Sequence, residues 1–80
     1  MTLASRGLAY LKLKQPDQAI ADYDAALKLT PQSASSLFGR GVAKRMKGDS
    51  TGATDIATAE AINASVAAQF EKYGVPTDGG

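Results

Sequence analysis

The sequence predicts an all-α chain of antiparallel helical hairpins stacked as an α-solenoid, with about five helices. Three observations carry this reading. Apolar residues recur at three- and four-residue spacing along most of the chain, and no stretch alternates with period two. The breaks between these stretches leave connections of two to four residues, short enough to force consecutive helices to be antiparallel neighbours. Finally, the chain repeats itself at an interval of 34 residues, which is the size of one helical hairpin.

Each element has its own signals. Thr2 caps a first helix over about residues 3–13, with Leu3, Gly7 and Tyr10 on one line of helical spacing and Ala4, Leu8 and Leu11 on the next. Pro16 opens a second helix over about residues 16–29, because the first turn has no use for the N–H that proline lacks. Asp17 there is well placed against the helix dipole. Ala19, Ile20, Tyr23, Ala26 and Leu27 form its apolar stripe, while Asp22, Asp24 and Lys28 lie off it. Thr30–Pro31 ends it, since the residue before proline avoids the helical region. Ser33 caps a third helix over about residues 34–46, and Gly48 stops it. Asp49 caps a fourth over about residues 50–62, whose first turn Gly52 weakens. Asn63 breaks the chain again before a short fifth helix over about residues 65–73, ended by Gly74. The expected organisation is therefore a first hairpin at 1–31, a second at 32–64, a capping helix at 65–74 and a disordered tail at 75–80.

Composition narrows the function. Eighty residues make one small domain, whose core buries only about 60% of the surface that the unfolded chain exposes. The chain has no cysteine and no histidine, so disulfides and thiolate–zinc sites are excluded as staples. The commonest general base and the thiol nucleophile are missing for the same reason. No nucleophile–base pair and no metal-ligand spacing is visible, so the reading is not an enzyme, with no cofactor and no metal. A net charge of +1 does not suit a nucleic-acid binder, and no apolar run is long enough to span a membrane. The lack of cysteine fits a reducing compartment without selecting one; the cytoplasm is the default.

The repeat is visible residue by residue. Leu3, Arg6, Gly7 and Ala9 recur as Leu37, Arg40, Gly41 and Ala43, 34 positions on. Asp22, Tyr23, Ala26, Leu29, Thr30 and Pro31 align with Asp55, Ile56, Ala59, Ile62, Asn63 and Ala64, 33 positions on. Gly7 and Gly41, with Ala9, Ala19, Ala26 and Ala43, are where helices should cross at short distance, and Tyr10, Tyr23 and Leu27 fill the wider gaps. The series Leu3, Gly7, Tyr10, Ala19, Tyr23, Ala26, Pro31 resembles the tetratricopeptide repeat. Leu3 stands where that family has Trp, and Arg6 where it has Leu. The second copy is looser: Leu37, Gly41 and Ala59 fit, while Lys44 replaces Tyr, Ile56 replaces the aromatic residue and Ala64 replaces Pro. The resemblance implies a right-handed superhelix of hairpins, with the fifth helix as a cap.

It also implies a site. The family binds partners along a concave face lined by the first helix of each repeat. Carried over by position, this face comprises Ala4, Leu8, Leu11 and Lys12 in the first repeat, and Phe38, Val42, Arg45 and Met46 in the second. Such a groove is apolar with a basic edge, suited to an extended or helical peptide with apolar anchors and an acidic flank. The alternative is that some of these side chains pack against a neighbouring repeat or the fifth helix. One subgroup grips a C-terminal carboxylate with Lys and Asn. Here Ala4, Leu8, Phe38 and Val42 stand at those positions, so no binding of a chaperone C-terminus is expected.

Three further clusters read as ordinary structure. Lys44, Arg45 and Lys47 suit the C-terminal end of a helix dipole. Asp17, Asp22 and Asp24 form a solvated acidic face. Val66, Phe70 and Tyr73 make an apolar stripe that packs the cap onto the second repeat. The leading function is a protein-interaction adaptor or scaffold whose partner is another protein or peptide. The competing reading is a structural spacer or oligomerisation cap, the C-terminal fragment of a longer repeat protein. Repeats cover one another's apolar faces. Leu3, Leu8 and Leu11 have no upstream helix to cover them, so further repeats upstream or a homo-oligomer are expected.

Overall fold

The computed structural model describes residues 2–75 and is all-α, with no strand among those residues. The helices are α1 (Leu3–Lys12), α2 (Pro16–Leu29), α3 (Ala34–Met46), α4 (Thr51–Ile62) and α5 (Val66–Lys72). None of them is long and apolar enough to cross a membrane.

The helix starts follow the polar residues in front of them. The hydroxyl oxygen of Thr2 accepts the backbone N–H of Ser5 at 3.1 Å, and that of Ser33 accepts Ser36 N–H at 3.3 Å. Asp49 Oδ1 accepts Thr51 N–H at 2.9 Å, and Asn63 Oδ1 accepts Ser65 N–H at 3.0 Å. Each supplies an acceptor that the first turn lacks. The ends of α1, α3 and α5 share one device. The residue after each cap, Lys14, Gly48 or Gly74, has positive φ. The next N–H turns back to the last helical turn: Gln15 to Tyr10 O at 2.9 Å, Asp49 to Lys44 O at 2.9 Å and Val75 to Phe70 O at 3.1 Å.

α3 is the centre of the fold, packing against α1, α2, α4 and α5. The two hairpins stack through α2 and α3, and α5 folds back onto α3 and α4. The core runs from Leu11, Ala19, Tyr23 and Leu27, through Leu37, Phe38, Val42 and Ala43, to Ile56, Ala59, Val66 and Phe70. Val75 closes it. Expected to open the tail, Val75 is instead 3% exposed, drawn in by the turn that ends α5. Residues 76–80, the rest of the expected tail, lie outside the described residues. Leu11, expected to lack cover, is also fully buried.

The helix crossings explain the small residues. A Cβ on Gly41 would stand 2.7 Å from the carbonyl oxygen of Gly52, and one on Gly52 would stand 2.5 Å from the carbonyl oxygen of Gly41. Gly52 is thus more than a weak first turn: it is half of the contact that lets α3 and α4 touch backbone to backbone. Gly7 and Gly39 play the same part around the buried ring of Tyr23.

Candidate functional site

The first helices of the two hairpins, α1 and α3, lie side by side and present the eight residues expected to form the concave face. The structure separates them into two groups. Leu11, Phe38 and Val42 are buried in the core, each no more than 4% exposed. Ala4, Leu8 and Met46 are half-buried, and Lys12 and Arg45 are exposed.

α5 covers Phe38. Its Phe70 ring stacks on Phe38 at a centroid distance of 4.8 Å, tilted by 47°, and Tyr73 meets Phe70 edge-on at 5.7 Å. Val66 is fully buried beside them. Beyond the helix the chain returns toward the end of α1, where a Cβ on Gly74 would stand 4.0 Å from Lys12 Cε. The α3 side of the face is therefore closed by the chain itself at Phe38, while Arg45 and Met46 further along α3 keep exposed surface.

The α1 side stays open. A cleft of about 150 Å³ remains there, walled by Ala4, Ser5 and Leu8 of α1, Ser35 of α3, and Phe70 and Tyr73 of α5, with Tyr23 at its base. Burial, and then the nearby charge of Asp22, push the Tyr23 hydroxyl well above its ordinary pKa, so it remains a neutral donor. Ser5, Ser35 and Tyr73 were absent from the expected groove. Small polar residues carry no periodic signal, and Tyr73 enters only because α5 folds back. A second, wider depression of about 480 Å³ lies at the α1–α2 end, lined by Leu3, Ala26 and Leu29 among polar Thr2, Thr30 and Ser33.

Of the three acidic residues expected to form a solvated face, Asp17 and Asp24 are exposed, but Asp22 is not. Asp22 is 5% exposed, and both its oxygens accept hydrogen bonds from Arg6, at 2.7 and 2.8 Å. The second repeat copies this pair: Arg40 donates to both oxygens of Asp55 at 2.8 and 3.0 Å, and Lys44 joins at 3.0 Å. Arg40 also reaches back to Asp24 at 2.8 Å, tying α3 to α2, and Lys47 pairs with Asp17. Lys44 and Lys47 thus answer carboxylates on neighbouring helices as well as the dipole of α3. These bonds are a brace that both repeats encode.

The brace sets an acid sensitivity. The hydrogen bonds from Arg6 hold the Asp22 carboxyl below its ordinary value. Burial alone would raise Asp55, but hydrogen bonds from Arg40 and Lys44 outweigh it and leave Asp55 lowered too. A carboxylate whose pKa is depressed on folding stabilises the fold above its unfolded pKa, and that contribution is lost as pH falls through the folded value. The melting temperature is therefore expected to be level from pH 7 to about 5 and to fall below about pH 4. In the double variant Asp22→Asn, Asp55→Asn the acid limb should flatten, which thermal melts followed by circular dichroism would read.

Comparison with known proteins agrees with this architecture. Residues 1–33 match the family model for the tetratricopeptide repeat. Two curated proteins of Drosophila melanogaster, Hsc70-interacting protein 1 and Hsc70-interacting protein 2, are each 48% identical to this chain over 46 residues. That stretch is 58% of this chain and 12% of each relative, so the likeness concerns one small part of those proteins. No solved structure matches the chain. Tetratricopeptide repeats mediate protein–protein interaction, and over residues 1–33 the chain is similar to that family.

Proposed function

We propose that the chain is a protein-interaction module that holds a partner segment in the cleft between α1 and α5. The observation that carries this reading is the cleft itself. It has apolar walls from Ala4, Leu8, Phe70 and Tyr73 and hydroxyls from Ser5 and Ser35 within it. Exposed Lys12 lies further along α1. An apolar slot with a few convergent polar groups suits a peptide that inserts one or two large side chains and orients them by hydrogen bonds.

The names of the two relatives make Hsc70 the first partner to test. Capture of its C-terminal carboxylate is not proposed, because Ala4, Leu8, Phe38 and Val42 offer no cation where such a clamp would need one. A second reading rests on the wide depression at the α1–α2 end, where Leu29 is 79% exposed. That end suits a preceding hairpin or a second copy, as a structural spacer or oligomerisation cap would require.

One titration separates the two. Fluorescence anisotropy of labelled chain against purified Hsc70 should show binding that Leu8→Glu weakens by at least about tenfold, which is about 1.4 kcal/mol. Leu29→Glu should leave it unchanged, and circular dichroism should show equal helicity in all three chains. Loss of binding with Leu29→Glu alone would favour the α1–α2 end.

A further inference from the structure

We propose that α5 occupies, in the same chain, the place of a partner helix, so that the partner is an amphipathic helix that displaces it. The inference rests on the adaptor reading and goes further: it names the chemistry of the occupant and the step that admits it.

Four observations converge. First, α5 covers the α3 side of the face through Phe38, where the rings of Phe38 and Phe70 meet at 4.8 Å. Leu11 and Val42, of the same expected groove, are buried with it in one core. Second, α5 meets this face as a bound helical peptide does. Val66 and Phe70 are four residues apart and fully buried, and Tyr73 follows three residues later at the mouth of the cleft. Anchors at such spacing are how an amphipathic helix enters an apolar groove. Third, α5 has only seven residues, too few to be helical in water by itself, and the Ser65 side chain makes no capping hydrogen bond. Its order comes from docking, and the turn after it is pinned by Val75. Fourth, the face is only half filled. The open cleft leaves Ala4 and Leu8 available while α5 is still in place, so an entering helix gains a foothold on α1 before α5 leaves α3.

The occupant therefore carries large apolar residues at the spacing of Val66, Phe70 and Tyr73, with an aromatic ring at the position that meets Phe38. A cis segment on a short tether acts at an effective concentration of roughly millimolar. The closed form thus lowers the apparent affinity of any competing helix by the fraction of molecules that are open.

The test uses a fluorescein-labelled synthetic peptide of residues 63–75 and the full chain. The parent chain should bind the peptide weakly. Phe70→Ser, which weakens the cis copy, should bind it at least about tenfold tighter. A peptide carrying Phe70→Ser itself should not bind. Equal peptide affinity in parent and variant, at equal helicity, would overturn the proposal. Should the variant prove poorly folded, hydrogen exchange on the parent decides. Amides of Phe70 to Tyr73 are expected to exchange through local opening, at rates insensitive to low urea, while those of α3 follow global unfolding. Exchange of both sets at the global rate would show α5 to be integral and sink the idea. The peptide assay contains no Hsc70 and the Leu8→Glu titration contains no peptide, so either can fail without the other.

Discussion

Gly52→Ala is expected to lower the stability of the fold by about 2 kcal/mol, although alanine is the better helix former. In an exposed helical turn the change would add up to about 1 kcal/mol of stability. Here the new Cβ would meet the Gly41 carbonyl oxygen at 2.5 Å and the Lys44 Cβ at 3.0 Å. A backbone oxygen in the middle of a buried helix has nowhere to go, so α3 and α4 must part along the contact. Because α3 touches every other helix, the strain spreads to the whole chain. Gly48→Ala makes the natural comparison: it meets nothing within 4 Å and costs only the left-handed backbone at φ +79°, about 1 kcal/mol. Chemical denaturation of the two variants should rank Gly52→Ala below Gly48→Ala. The reverse order would mean that α3 and α4 are not in backbone contact.

Phe38→Ala is expected to cost more, about 3–5 kcal/mol. Phe38 is 1% exposed at the centre of the core, and its ring is the seat of Phe70. Its removal deletes a large buried side chain and the aromatic pair together. An 80-residue domain holds about 4–12 kcal/mol in all, so the variant should melt roughly 15–30 °C lower or fail to fold cooperatively. The same substitution releases α5, so its amides should lose protection before those of α1 and α2. Thermal melts and hydrogen exchange on one sample read both effects.

The elements were legible because their ends are written in single residues. Thr2, Ser33, Asp49 and Asn63 each supply an acceptor to the turn that follows, and Gly48 and Gly74 take the positive φ that ends α3 and α5. These are local effects and need no knowledge of the rest of the chain. Lys14 holds the same conformation at φ 57° without being glycine, and there only Pro16 gave the break away.

Pairings across the fold were harder to read. Arg6 and Asp22 were each matched to their counterparts Arg40 and Asp55, yet the two matches say more together than apart. When a cation and a carboxylate recur as a pair in both repeats, a buried bond between the helices is the simplest cause. Taken alone, Asp22 suggests a solvated side chain, because aspartate is usually exposed. Helix propensity makes Gly52 a weak first turn, and it ignores what stands opposite. The face itself was half legible. Ala4 and Leu8 lie on the open cleft, while Leu11, Phe38 and Val42 lie in the core, with Phe38 under the Phe70 ring of α5. The stripe of Val66, Phe70 and Tyr73 marks the face by which α5 packs onto the second hairpin, but that its ring lands on Phe38 of the expected groove is decided by packing in three dimensions.

The central claim is that the face of α1 and α5 is where a partner binds. The most direct measurement is a set of ¹⁵N–¹H correlation spectra of the labelled chain during titration with purified Hsc70. The expected result is that the largest shifts fall on the amides of α5 as it is displaced, followed by those of Ser5, Leu8 and Ser35 around the cleft. Shifts confined to the outer surface of α2 and α4, or centred on Leu3 and Leu29, would contradict it.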